Sequence, residues 1–292
     1  MKLQLLRAVA RLPAPILFFV ARWLIYPLLY RLARYRLKTV RRNLTMAFPT
    51  QTAAWRGQTE REFYRHLADL VVEILMLSRL SAAELDARID IIGLEHLQAC
   101  KAREESAILL AAHQGNWEYM LAAVAAGSAL PLDALYRPLH DPVMDQFFRE
   151  MRTRHQANMI PAEKAARIML KLRRQQRAFG IIADQNPRRK DEKYWTRFFG
   201  VETPVSIGSE RIAKLTSYPL FYVWSERVGR GRFRITIEPL LQPPYTGDGD
   251  ISQLYMDRVE QGVLKQPAYW MWSHQRWRYQ RKDCPLSRTS AH

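Results

Sequence analysis

The residues best suited to chemistry lie in the stretch AAHQGNWEYM, residues 111–120. His113 ends a run of small and apolar residues, and Glu118 follows five positions later. An imidazole beside a carboxylate is the usual make-up of a general base. The carboxylate fixes one ring nitrogen as a donor and leaves the other free to take a proton. On one continuous helix a separation of five puts two side chains about 140° apart, so they would not meet. The spacing instead predicts a turn at His113 and a helix from Trp117 with Asn116 as its N-cap. Glu118 then sits in the first helical turn, where the dipole keeps it ionised, and the turn folds His113 back towards it. Gly115 permits close backbone approach, and the free amides of this turn are candidates to bind an anion or a developing oxyanion.

Two more polar groups share this placement. Arg137 follows the run LDALY at 132–136, and Asp184 follows AFGIIA at 178–183. In open α/β sheets ligands gather at the carboxyl ends of strands, so His113, Arg137 and Asp184 are expected to converge. Arg188, Arg189 and Lys190 come close after Asp184 and offer cations to a phosphate, to an acidic protein or simply to water. The seven histidines are scattered, which suggests neither a metal site nor a cofactor. Cys100 and Cys284 are far apart and suggest no disulfide framework.

These groups need a scaffold, and the pattern supplies one. AILLAA at 107–112 reads as a buried strand, LDALY and AFGIIA as two more, and WEYMLAAVAAG at 117–127 as a helix ending at a glycine. Helices are also predicted over 59–77, 165–174 and 210–216, and another from about 251 that runs into YWMWSHQRWRYQRK. His66, Glu73 and His274 read as ordinary structural residues. A short strand and turn are expected at 89–97. PLFYVWSER at 219–227 and RFRITIEPL at 232–240 are later strands, the second alternating as an antiparallel or edge strand does. Strands alternating with helices imply an α/β fold, a layered sheet flanked by helices.

The chain has 292 residues and a net charge of +17, which favours polyanionic partners. Residues 1–50 carry ten Lys or Arg and no acid. LPAPILFFVARWLIYPLLY at 12–30 is nearly all apolar; as a helix it is about 28 Å long, close to the roughly 30 Å hydrocarbon core. Arg22 near its middle costs about 2.5–3.5 kcal/mol in a full span, and Pro27 kinks it. A hairpin or helix lying in the membrane interface is therefore preferred over one full span or a buried helix. The basic cluster at 31–42 beside it points to anionic membrane lipids. The expected organisation is a membrane-associating segment over 1–45 and one catalytic domain over 46–292. The tryptophans and arginines of 269–282 suit nucleic acid or a membrane interface. With the apolar segment in the same chain, membrane or partial core packing is preferred and no nucleic acid is expected.

HQGNWE resembles the His-x4-Asp/Glu block of the lysophospholipid acyltransferase superfamily. Its Asn-Trp-Glu form is similar to that of the bacterial lipid A late acyltransferases, the lauroyl and myristoyl transferases. RRNLTMAFP at 41–49, YRPL at 136–139, ADQNP at 183–187, FFG at 198–200 and YWMWSHQRW at 269–277 agree in order and spacing. The resemblance covers nearly the whole chain. It implies a lysophospholipid-acyltransferase-like fold and acyl transfer from acyl carrier protein to a hydroxyl of a phosphorylated lipid A precursor. It also implies an inner-membrane location with the catalytic domain on the cytoplasmic face. A lysophospholipid or another membrane lipid, with acyl-CoA as donor, is the alternative within the superfamily. His113 would be the general base and Glu118 its partner. Arg137 would hold a phosphate-like group, and Asp184 would shape the site. No G-x-S-x-G motif occurs and neither cysteine has a base beside it. Direct attack by the acceptor hydroxyl is therefore favoured over an acyl-enzyme.

Overall fold

The computed structural model describes residues 2–188, 193–247, 249–281 and 287–289. The chain opens with helix α1 (Lys2–Ala10) and then α2 (Ala14–Leu32), the one helix among the described residues long and apolar enough to cross a bilayer. Pro27 does not break α2. Two π-helical turns, Ala21–Ile25 and Leu28–Leu32, flank it; such wide turns accommodate local disruption of the i→i−4 ladder. Next come α3 (Leu37–Ala47) and α4 (Ala53–Leu77). The expected boundary at 45/46 falls inside α3.

α2 meets the body along a narrow face, where Leu17 and Ala21 pack against Ala68, Val72 and Met76 of α4. Phe19, Trp23, Leu24 and Leu32 along the same helix are exposed. Salt does not weaken burial of such a surface, whereas it screens attraction of the basic residues to lipid. The chain is therefore expected to stay in the membrane pellet through a concentrated-salt wash and to leave it in detergent. Quantitative release by salt alone would show that the apolar face is not engaged.

After α5 (Ala82–Asp86) the chain lays down β1 (Ile89–Ile92), α6 (Leu94–Ala102), β2 (Ala107–Ala111), α7 (Trp117–Gly127) and β3 (Leu132–Tyr136). It continues through α8 (Pro142–Arg154), β4 (Asn158–Pro161), α9 (Ala165–Lys171) and β5 (Ala178–Ile182). A ribbon follows, β6 (Lys193–Phe198) and β7 (Val201–Ser206), then α10 (Gly208–Thr216), β8 (Leu220–Gly229), β9 (Arg232–Leu241), α11 (Asp250–Lys265) and β10 (Ser287–Thr289). The main sheet has the order β1-β9-β8-β2-β5-β3-β4, and β10-β6-β7 form a second one. Every pairing in the main sheet is parallel except β8 with β9. The alternating pattern of β9 thus marks its antiparallel pairing; the strand is internal, with β1 along its outer side.

β2 is buried on both faces, as its unbroken apolar run requires. Ile108 and Leu110 enter one core with α11 and the tryptophans of the C-terminal segment. Leu109 and Ala111 enter the other, with α7.

The prediction over 251–282 needs correction. α11 stops at Lys265, just before Gln266 and Pro267, because a proline cannot continue a helix interior. Residues 267–277 form a strap instead. Trp270, Trp272 and Trp277 are buried in it, so they serve the core and not a membrane interface. α3 holds the strap: Asn43 Nδ2 donates to the carbonyls of Trp272 (2.8 Å) and His274 (2.7 Å), Arg36 to that of Ser273 and Arg42 to that of Trp277. Part of the basic cluster is therefore structural.

Candidate active site

Strand register creates the central pair. Ala111 of β2 lies opposite Ile182 of β5, and two residues further along each strand stand His113 and Asp184. Tyr255 of α11 stitches these ends together, its hydroxyl donating to the Ala111 carbonyl (2.7 Å) and accepting from the Ala183 amide (3.2 Å). His113 Nδ1 lies 2.6 Å from Asp184 Oδ1. Asp184 Oδ2 accepts from the His113 amide (3.1 Å) and from Trp270 Nε1 (2.8 Å). Burial works against the Asp184 charge, but the His113 charge and these hydrogen bonds outweigh it and hold the carboxyl below its ordinary range. In the neutral imidazole an ionised acceptor at Nδ1 makes that nitrogen the donor, so the lone pair lies on Nε2. The ring is 22% exposed, with its neighbour Trp117 at 5.1 Å edge-on.

His113 lines a cavity of about 520 Å³ between α7 and the carboxyl end of the sheet. Its floor is apolar. Leu109, Gly180 and Ala134 stand in register across β2, β5 and β3, so they share one face of the sheet, and all three line the cavity. Met120, Leu121 and Val124 face them from α7.

The expected pairing of His113 with Glu118 is not found. Asn116 does cap α7, accepting from the Tyr119 amide at 3.0 Å. From the first turn, however, Glu118 reaches α8, where Arg152 grips it with two bonds of 2.9 and 2.7 Å. The position beside Nδ1 belongs to Asp184. Glu118 and Arg152 still line the cavity.

Gly115 and Asn116 also differ from expectation. Neither lines the cavity, and the amides of their turn are taken. Gly115 N–H donates to the Tyr269 carbonyl (2.8 Å), Gln114 N–H to Ala112 (2.8 Å) and Asn116 N–H to Ser225 Oγ (3.3 Å). Gly115 is needed for another reason: its φ is +57°, and a Cβ there would sit 2.4 Å from the Ser225 carbonyl oxygen.

Arg137 is exposed, lines the cavity and makes no ion pair or hydrogen bond among the described residues. Arg188 follows the cavity-lining Pro187 without lining the cavity itself. Arg189 and Lys190 lie outside the described residues.

The supports of the site come from positions that carry no local signal. His66 and Glu73 of α4, expected to be ordinary helix residues, are both buried and bonded to the 113–116 turn. Arg227 Nη1 donates to His66 Nδ1 (3.0 Å), so His66 Nε2–H donates to the Gly115 carbonyl (3.0 Å). Burial and the Arg227 charge push this imidazole down to about 3, keeping it neutral. Glu73 accepts from Asn116 Nδ2 (2.9 Å), and burial pushes its carboxyl up to about 7. The strap closes the turn from the other side, with Met271 N–H on the His113 carbonyl (3.0 Å). His274, expected to be structural, accepts from the Asn186 amide (3.0 Å).

Comparison with known proteins agrees with this architecture. The family model described as bacterial lipid A biosynthesis acyltransferase matches residues 1–279. The chain is 24% identical over 274 residues to the lipid A biosynthesis palmitoleoyltransferase of Escherichia coli K12, covering 92% of this chain and 87% of that one. It is 22% identical over 281 residues to the lipid A biosynthesis lauroyltransferase of the same strain, covering 90% of each. It is 23% identical over 235 residues to a lipid A biosynthesis acyltransferase of Haemophilus influenzae, covering 79% of this chain and 72% of that one.

Proposed function

Because the chain belongs to the bacterial lipid A biosynthesis acyltransferase family, we propose that it moves a fatty acyl chain from acyl carrier protein to a hydroxyl of a phosphorylated lipid A precursor. It works on the cytoplasmic face of the inner membrane, held there by α2 and by anionic lipid. The observation that carries the mechanism is the 2.6 Å contact of Asp184 with Nδ1 of His113, which lines a cavity with an apolar floor.

His113 Nε2 takes the proton of the acceptor hydroxyl as its oxygen attacks the thioester carbonyl. Asp184 holds the ring in the required tautomer and stabilises the imidazolium that forms. Collapse of the tetrahedral intermediate expels the carrier's thiolate, which takes the proton from His113. The acyl chain lies along the Leu109–Gly180–Ala134 floor. The Glu118–Arg152 pair and Arg137 supply charge on the acceptor's side of the cavity. Transfer assays with purified protein test the reading, pairing acyl carrier protein or acyl-CoA donors with a lipid A precursor or a lysophospholipid. Activity confined to acyl-CoA and lysophospholipid would overturn it.

Arg137 gives a separate test. A guanidinium forks onto phosphate, a geometry lysine cannot match. Arg137→Lys is expected to keep partial activity, and Arg137→Ala to lose about 2 kcal/mol or more of transition-state binding on a phosphorylated acceptor. The loss should shrink on an acceptor lacking the contacted phosphate. An equal loss on every acceptor would assign Arg137 to the fold or the acyl donor.

A further inference from the structure

A second hollow, of about 430 Å³, opens between α2 and α4 and shares no lining residue with the His113 cavity. Five arginines line it: Arg22 and Arg31 from α2, Arg65 from α4, and Arg227 and Arg230 from β8 and the turn beyond it. Two carboxylates, Glu62 and Asp69, are the acids in its lining. Asp69 is already committed, bonded to Arg227 (2.7 Å) and to Arg230 (2.6 and 3.0 Å). Glu62 accepts from Gln58. Arg22, Arg31 and Arg65 have no ion pair or hydrogen bond among the described residues. Arg22 lies over the Trp23 ring at 5.5 Å and Arg65 over Tyr26 at 5.8 Å.

We propose that this hollow binds the phosphate-bearing head group of an anionic phospholipid. Formal charge in its lining favours cations by five to two, and three of the cations have no anionic partner. Guanidinium groups around one concavity repel each other until an anion with several acceptor oxygens bridges them. The surroundings favour a lipid over a free phosphate. One wall is α2, whose exposed Phe19, Trp23 and Leu24 offer a path for acyl chains beside the head group. Trp23 and Tyr26 border the hollow, at the level where such side chains meet head groups. The site also accounts for the two arginines, Arg22 and Arg31, of a mostly apolar helix. The inner wall consists of His66 and Tyr269, the residues bonded to Gly115 behind the cavity. The inference does not depend on which acyl donor or acceptor the enzyme uses.

The test titrates the full chain, in neutral alkyl-maltoside micelles, with short-chain phosphatidylglycerol, short-chain phosphatidylcholine or sodium phosphate, and reads binding by calorimetry. Saturable binding of phosphatidylglycerol is expected, about tenfold or more tighter than that of either other probe. Arg31→Gln with Arg65→Gln should weaken it by about tenfold or more. Arg173→Gln with Arg174→Gln removes the same charge from exposed positions outside the hollow and the basic cluster and should change it less than about twofold. Equal binding of phosphatidylcholine, or of inorganic phosphate, would overturn the lipid assignment. So would an unchanged hollow variant, or an equal loss in the control. Thermal unfolding shows whether each variant is folded. If the double hollow variant is not, Arg31→Gln alone is read: a loss of about threefold or more supports the site, and unchanged binding rejects it.

Discussion

Replacing His113 by alanine is expected to slow acyl transfer by about 10²–10⁴-fold while the protein stays folded and membrane-bound. The size follows from the task. An alcohol hydroxyl is a poor nucleophile at neutral pH, and the base must take its proton during attack. Among the described residues lining the cavity, His113 is the imidazole placed to do so. The fold should survive because the ring is partly exposed and its loss leaves Asp184 bonded to Trp270 and to the residue 113 amide. Single-turnover transfer by purified wild type and variant, with their thermal unfolding compared, measures both parts. Normal turnover by the alanine variant would end the assignment of His113 as base.

Asp184→Asn is expected to cost a similar factor, about 10²–10⁴. The hydrogen bonds give the reason. The His113 amide and Trp270 Nε1 both donate to Oδ2, so an asparagine would turn its carbonyl oxygen towards them. Its NH₂ would then face His113 Nδ1, making that nitrogen the acceptor and placing the proton on Nε2, where the base is needed. Glu118→Gln should behave differently. It loosens Arg152 at the cavity wall, and KM for the acceptor should rise more than kcat falls. The reverse result, with Asp184→Asn active and Glu118→Gln lacking kcat, would restore Glu118 as the orienting group. Stability adds an independent readout. The Asp184 carboxyl is depressed in the folded state, so its contribution is present above its unfolded pKa and is lost as pH falls through the folded one. Asp184→Asn should remove that part of the acid dependence.

Much of the scaffold was legible because its signals are local. AILLAA must be buried on both faces, and Asn116 before an apolar run is a helix start whatever surrounds it. The placing of His113, Arg137 and Asp184 just past strand ends likewise follows from where the runs stop. The choice of partner for His113 did not. It depends on β2 lying beside β5 with Ala111 opposite Ile182, a register between segments about seventy residues apart. The amides of the 113–116 turn looked free because the strap that takes one of them arrives more than 150 residues later. His66 and Glu73 looked ordinary for the same reason: their helical spacing shows a face, and only the packing of α4 against the turn shows what that face holds.

Gly180 has a consequence for how selectivity can change in this fold. It pairs with Leu109 and Ala134 across the cavity floor and contributes no side chain there. A bulkier residue would rise from the same face and shorten the cavity above that floor. Asp184 lies four residues further along the same chain segment, beyond the end of β5. The cavity floor and the carboxylate that holds His113 are thus four residues apart on one chain segment. Relatives bearing the names palmitoleoyltransferase and lauroyltransferase stand at nearly equal distance from this chain. A substitution at Gly180 would reshape that floor and leave the contact between His113 and Asp184 in place.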